Sequence, residues 1–232
     1  MLLKKFLRPL ANSKISLFLR EKSGLRPPIF LFGNETSFIS SDLFFWRTDD
    51  GYSTIFKASD ILSKYYEVES SLTLIFYDSD GSFLLQKTVE FHYGFATLTI
   101  TSALLSKKGM GTFIALNIPR EELKSDVQVS NRCYVGYGKD GSHSMVHGNF
   151  TAITAKLNVE NFNPLRDIKP AISSRKGDFI YHLQKPNYSF LKISLVFANP
   201  LDRKIVITIN KKRYELNRRS CILVSVPKDD ES

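Results

Sequence analysis

Leu72-Thr73-Leu74-Ile75-Phe76-Tyr77-Asp78, running into Ser79-Asp80-Gly81-Ser82, carries the reading of the fold. Leu72, Leu74 and Phe76 occupy every second position, with Thr73, Ile75 and Tyr77 between them. Side chains of an extended chain alternate between faces, so this period gathers three large apolar groups on one side of a strand. The Asp-Gly pair that follows tolerates the positive φ of a tight hairpin turn.

Working outward, the same period recurs. Leu98 and Ile100 alternate with Thr97, Thr99 and Thr101; Leu191, Ile193, Leu195 and Phe197 alternate with Lys192, Ser194 and Val196; Ile205, Ile207 and Ile209 alternate with Val206, Thr208 and Asn210. Helical signals are short. Ser59 ahead of Asp60-Ile61-Leu62-Ser63-Lys64-Tyr65-Tyr66 reads as an N-cap and two turns, and Pro119 opening Arg120-Glu121-Glu122-Leu123 reads as one more turn. Turns every eight to twelve residues leave no room for crossover helices, so the expectation is an all-β antiparallel β-sandwich.

Asp-Gly pairs also stand at Asp50-Gly51 and Asp140-Gly141, and all three are expected to close hairpins. Two longer stretches align in order: Phe44 to Ile55 with Tyr134 to Met145, then Leu72 to Asp78 with Ile193 to Asn199. An insertion between Thr151 and Tyr188, rich in proline and polar residues, accounts for the change in offset. The organisation read from this is a basic N-terminal extension over residues 1–27 and two tandem related modules, 28–127 and 128–232, the second with an inserted connection near 152–188.

The chain has 232 residues, 43% hydrophobic and 24% charged, enough to bury a core without covalent staples. No apolar run approaches the roughly 20 residues needed to cross a bilayer as a helix. Cys133 and Cys221 have no disulfide-framework or zinc spacing. The basic, apolar start of the chain is interrupted by Lys4, Lys5, Arg8 and Lys14, which argues against a secretory h-region, and Pro9 breaks any long helix there. The expected location is therefore the cytoplasm, with peripheral membrane contact through residues 1–20 as a further expectation. The sequons at Asn34, Asn149 and Asn187 matter only in a secretory compartment.

The excess behind the net charge of +9 sits in two segments, +6 over residues 1–27 and +6 over residues 190–221, against −1 over the body at 28–189 and −2 over the tail that follows. Lys211, Lys212, Arg213, Arg218 and Arg219 are expected to converge on one rim and attract phosphate, anionic lipid or acidic polysaccharide, against the plainer reading of solvated edge-strand cations. Nucleic acid is not expected as a partner, because the body carries no basic stripe. Around the first Asp-Asp-Gly turn, Trp46 and Tyr52 stand beside Asp49 and Asp50, the combination of flat rings and carboxylates that a sugar-binding face uses; the plainer reading fills a core with the only tryptophan.

No Gly-x-Ser-x-Gly, P-loop, dinucleotide or His-Glu-x-x-His motif is present. Asp78-Ser79-Asp80-Gly81-Ser82 resembles the start of a calcium loop, but Lys87 stands where the bidentate acid belongs. His143 and His147 lie four apart on a strand and share a face, yet about 13 Å separates their Cα atoms if the strand is straight. The expected function is accordingly a non-enzymatic binding or assembly protein that contacts an anionic or carbohydrate surface, with no cofactor, and with a protein partner or homo-oligomer as further expectations. The alternative is a metal-dependent enzyme using His143 and His147.

Overall fold

The computed structural model describes residues 15, 19, 39–41, 43–121, 133–147, 153–155, 168–170, 193–200, 204–209 and 211–226. The strands are β1 (Ile39–Ser40), β2 (Phe44–Arg47), β3 (Ser53–Ser59), β4 (Ser70–Asp78), β5 (Phe83–Val89), β6 (Phe95–Ile100), β7 (Met110–Pro119), β8 (Tyr134–Lys139), β9 (Ser142–His147), β10 (Ile153–Ala155), β11 (Ile168–Pro170), β12 (Ile193–Ala198), β13 (Ile205–Ile209), β14 (Lys212–Leu216) and β15 (Cys221–Val226). Two short helices interrupt them, α1 (Ile61–Tyr66) and α2 (Ser102–Leu105). The described chain is all-β and its strand pairs are antiparallel.

The first sheet runs β1-β7-β4-β5, with β2 sharing the β1 edge of β7; the second runs β6-β3-β8-β9. Three two-stranded pairs complete the set: β10-β11, β12-β15 and β13-β14. Leu72, Leu74 and Phe76 of β4 point into one buried cluster with Phe44, Trp46, Phe113 and Ala115 of the first sheet and Phe56, Ala58, Ala96, Ile100 and Val135 of the second. Four rings tie it together. Phe56 meets Phe44 edge-on at 5.4 Å and Phe113 edge-on at 5.3 Å, while Phe113 stacks on Phe44 and Phe76 at 5.2 and 5.3 Å. Only Phe56 of the four comes from the second sheet, so it joins the two sheets through the quadrupole-favoured edge geometry.

The alternate residues of β4 are buried too. Ile75 and Tyr77 form a second cluster with Leu43, Ile114 and Leu116 on the other face of the first sheet. A strand buried on both faces needs apolar residues at both parities, which explains why Ile75 and Tyr77 stand where an exposed strand would carry polar groups.

Local chemistry sets the connections. Asp60, not Ser59, caps α1: its carboxylate accepts from the Ser63 amide at 3.0 Å and from the Ser70 hydroxyl at 2.7 Å. Pro119 ends β7 opposite Ser70 and does not open a helix within the described residues. Asp140-Gly141 closes the β8-β9 hairpin with φ values of 53° and 82°. Asp50-Gly51 has the same geometry, at 49° and 77°, but joins β2 to β3 across the two sheets. Thr54 fixes that corner, its hydroxyl accepting from the Arg47 amide at 2.9 Å and donating to the Arg47 carbonyl at 3.0 Å. The expectation that all three Asp-Gly turns are hairpins therefore fails at Asp50-Gly51, because burial sends Phe44 and Phe56 to opposite sides of the core.

The pairing also departs from the expected modules. β8 lies directly on β3, Tyr134 opposite Lys57 and Gly138 opposite Ser53, so one sheet crosses the boundary expected at 127/128. β4 and β5 form a hairpin, whereas β12 pairs with β15 and β13 with β14. The second stretch is thus not the counterpart of the first. Buried Asn199 directs it elsewhere: its side-chain amide donates to the carbonyls of Leu216 and Asn217 at 3.1 and 2.9 Å, and its backbone binds Ser220 and Arg219. Within 152–188, β10 and β11 pair with one another; the sequons and most of residues 1–27 and 152–188 lie outside the described residues.

Candidate functional site

Trp46 is wholly buried and its indole N–H donates to the Tyr77 carbonyl at 2.9 Å. It belongs to the core and is no part of a sugar face. Beside it, Arg47 takes both acids of the turn: Nε binds Asp49, an NH2 group binds Asp50 at 2.8 Å, and the guanidinium carbon lies 4.1 Å from the centre of the Tyr52 ring. Lys139 of β8 approaches the same ring at 5.5 Å. Asp49, Asp50 and Tyr52 are thus brought together as expected, but around an internal cation. The cluster is balanced in charge and locks the corner between the sheets.

The five basic residues divide. Lys211, Lys212 and Arg213 are exposed at the β13-β14 turn, where Lys211 adopts a φ of 64°. Arg218 and Arg219 lie beyond the far end of β14, a five-residue strand that spans about 13 Å between its end residues. Arg219 is only 3% exposed, with its guanidinium 4.8 Å from the centre of the Tyr77 ring and its carbonyl accepting from the Thr112 hydroxyl at 2.6 Å. Burial pushes the Tyr77 hydroxyl up to about 12, with Arg219 and Arg218 pulling the other way. The expected single rim does not form, because Arg219 is used to cover the outer face of the first sheet. Gly81 lies under the same turn: a Cβ there would sit 2.0 Å from the Arg218 carbonyl oxygen.

The hairpin tip keeps three cations. Glu215 is the acid beside them, bound by Lys204 and, at 3.4 Å, by Arg213; the Lys204 ammonium is the main cause of its depressed carboxyl pKa. Lys212 lies 5.3 Å from the centre of the Tyr214 ring. The alternate residues of β13 and β14 pair Ile207 with Tyr214 on one face and Thr208 with Arg213 on the exposed one.

His143 pairs with Gly138 and its ring lies over that glycine, where a Cβ would be 2.2 Å from Nε2. His147 pairs with Tyr134; its side chain lies outside the described residues. The β8-β9 ladder runs without a shift in register, so nothing shortens the distance between the two positions. Among the described residues no group of three or more His, Cys, Asp or Glu is placed to hold a metal. The acids of the calcium-like turn serve the turn: Asp78 binds Lys107 and accepts from the Ser79 amide at 2.7 Å, while Ser82 lowers the pKa of Asp80 through its hydroxyl first and then through its amide, which donates to the carboxylate at 2.8 Å. Burial, then the Asp78 charge, raises the Cys221 thiol to about 12, which keeps it protonated and unreactive at neutral pH.

One surface escaped the sequence reading. Inward residues of β6, β3 and β8 fill the core, so their alternates share the outward face: Phe95 beside Ser59, Thr97 beside Lys57 and Tyr134, Thr99 beside Ile55 and Gly136. Phe95 is 63% and Tyr134 57% exposed. The usable signal was the strand period itself, which turns Phe95 away from Ala96 and Tyr134 away from Val135. Of the N-terminal segment only Ile15 and Leu19 are described, and both are helical and exposed. No helix among the described residues is long and apolar enough to cross a membrane. Comparison with protein-family models, with curated proteins and with solved structures finds no match.

Proposed function

We propose that this chain is a non-enzymatic β-sandwich binding protein that contacts an anionic surface through the tip of the β13-β14 hairpin. The sandwich reading rests on the cluster shared by the two larger sheets. The contact reading rests on one observation: Lys211, Lys212 and Arg213 are three consecutive exposed cations at the turn of a two-stranded hairpin, with Glu215 as the acid beside them. Cations held on a short turn present their charge to a plane without ordering many side chains, and each cation near an anionic surface contributes about 1 kcal/mol. The ligand chemistry is a dense array of phosphate, carboxylate or sulfate groups.

The test measures binding of the full chain to vesicles containing phosphatidylserine and, separately, to a sulfated polysaccharide, across a salt series. Replacing Lys211, Lys212 and Arg213 together by Gln should weaken binding about a hundredfold, the equivalent of about 3 kcal/mol. Which arm binds identifies the source of the charge. Binding that ignores salt, or that survives the triple change, overturns the proposal.

A second reading places carbohydrate on the outward face of β6-β3-β8-β9, favoured by the exposed rings of Phe95 and Tyr134 on one sheet face with Lys57, Thr97 and Thr99 between them. Loss of a glycan-array signal in Tyr134→Ala and Phe95→Ala supports it, and an unchanged signal refutes it. The metal-dependent enzyme reading has no observation among the described residues in its favour and is not carried forward.

A further inference from the structure

β9 is the last strand of its sheet, and among the described residues nothing pairs with its outer side. Residues 141–146 are exposed at both parities, even Met145 at 39% and Val146 at 50%, so neither face of the strand is covered. The edge also lacks the devices that normally protect one. Ser142-His143-Ser144-Met145-Val146-His147 contains no Lys, Arg, Asp, Glu or Pro, and its ladder with β8 has no bulge.

The backbone says which groups are open. Lys139 and Ser142 close a two-residue turn and therefore exchange both of their backbone bonds. Alternation then directs the backbone groups of Ser144 and Val146 toward β8 and those of His143, Met145 and His147 outward. Three consecutive outward positions centred on Met145 are symmetric about that residue. A strand running antiparallel with the same spacing satisfies all of them, and a second β9 is such a strand.

We propose that two copies of this chain associate through their β9 strands, antiparallel about a two-fold axis at Met145. Met145 then lies opposite Met145 of the second copy, His143 opposite His147 and Ser144 opposite Val146. The strand carries no lysine, arginine or carboxylate, so the two-fold brings no two permanent like charges face to face. The product is a continuous eight-stranded sheet, and the isologous contact closes on itself at two copies. This interface is independent of the hairpin tip and goes beyond the binding proposed above.

Sedimentation velocity and light scattering on the full chain, from low to high micromolar concentration, read the association. Wild type should pass from monomer to dimer. Met145→Pro removes an outward N–H without touching the bonds to β8, and should hold the protein monomeric throughout. Met145→Lys, which keeps an unbranched stem over Gly136, covers the case in which the proline variant fails to fold; it should weaken dimerisation at least about tenfold, or 1.4 kcal/mol. Met145→Cys should form an intermolecular disulfide faster than Lys211→Cys, a second exposed position that serves as the control, because opposed residues in a hydrogen-bonded pair have Cα atoms about 5.5 Å apart. A wild type that stays monomeric, a dimer unaffected by both substitutions, or growth into open polymers overturns the proposal.

Discussion

Replacing Phe56 by alanine tests whether the two larger sheets share one core. Phe56 is wholly buried on β3 and is the ring of the second sheet that meets Phe44 and Phe113 of the first. Truncating a buried phenylalanine costs about 3–5 kcal/mol, from lost transfer free energy and the cavity left behind. Each edge-on ring pair adds about 0.5–1.5 kcal/mol beyond area, and Phe56 makes two. The upper half of that range, about 4–5 kcal/mol, is therefore expected, against a total stability of about 5–15 kcal/mol for an ordinary domain. Phe56→Leu keeps much of the volume and should cost about half as much. Urea unfolding followed by tryptophan fluorescence is the assay, since buried Trp46 reports the same cluster. A double-mutant cycle with Phe44→Leu should return a coupling of about 1 kcal/mol. If Phe56→Ala costs less than about 1 kcal/mol, or the cycle shows no coupling, the sheets do not share this core and the reasoning fails.

Asp60→Ala removes the α1 cap and the acceptor of the Ser70 hydroxyl, and should lower the unfolding free energy by about 1–2 kcal/mol in the same assay. Gly81→Ala should destabilise by more than about 1 kcal/mol, because φ is 88° there and the new Cβ runs into the Arg218 carbonyl; a neutral result would mean the 217–220 turn does not sit on the β4-β5 turn. Alkaline titration follows from Tyr77 and Cys221, whose protonated forms the fold favours. Their contribution is complete below the unfolded values near 9 and 10 and is lost as pH rises through about 12, so urea midpoints should hold to about pH 9 and fall from there. Cys221→Ala should flatten the first part of that fall, and an unchanged profile would contradict the burial of the thiol.

Periodicity made the strands legible. The alternation at Leu72–Tyr77, the Asp140-Gly141 turn and the shortness of the helices between the described strands are read from neighbouring residues, through side-chain period and turn chemistry. Even the double burial of β4 was written in Ile75 and Tyr77, which stand where a half-exposed strand carries polar groups. Pairing was not legible, because period two says which face a residue takes but not which strand lies beside it. Asp50-Gly51 has hairpin chemistry and hairpin dihedrals, yet its strands enter different sheets once Phe44 and Phe56 meet across the core. The likeness of Leu72–Asp78 to Ile193–Asn199 reflects the shared demands of buried strands; Asn199, by bonding the 216–220 segment, sends β12 to β15. The candidate sites divide in the same way. Lys211, Lys212 and Arg213 are exposed because a tight turn carries them clear of any core, which composition and turn chemistry foretell. Arg219, of the same residue type and only six positions after Arg213, is buried because the folded chain sets the Tyr77 ring beneath its guanidinium, and a contact between positions 142 residues apart exists only once distant strands have packed.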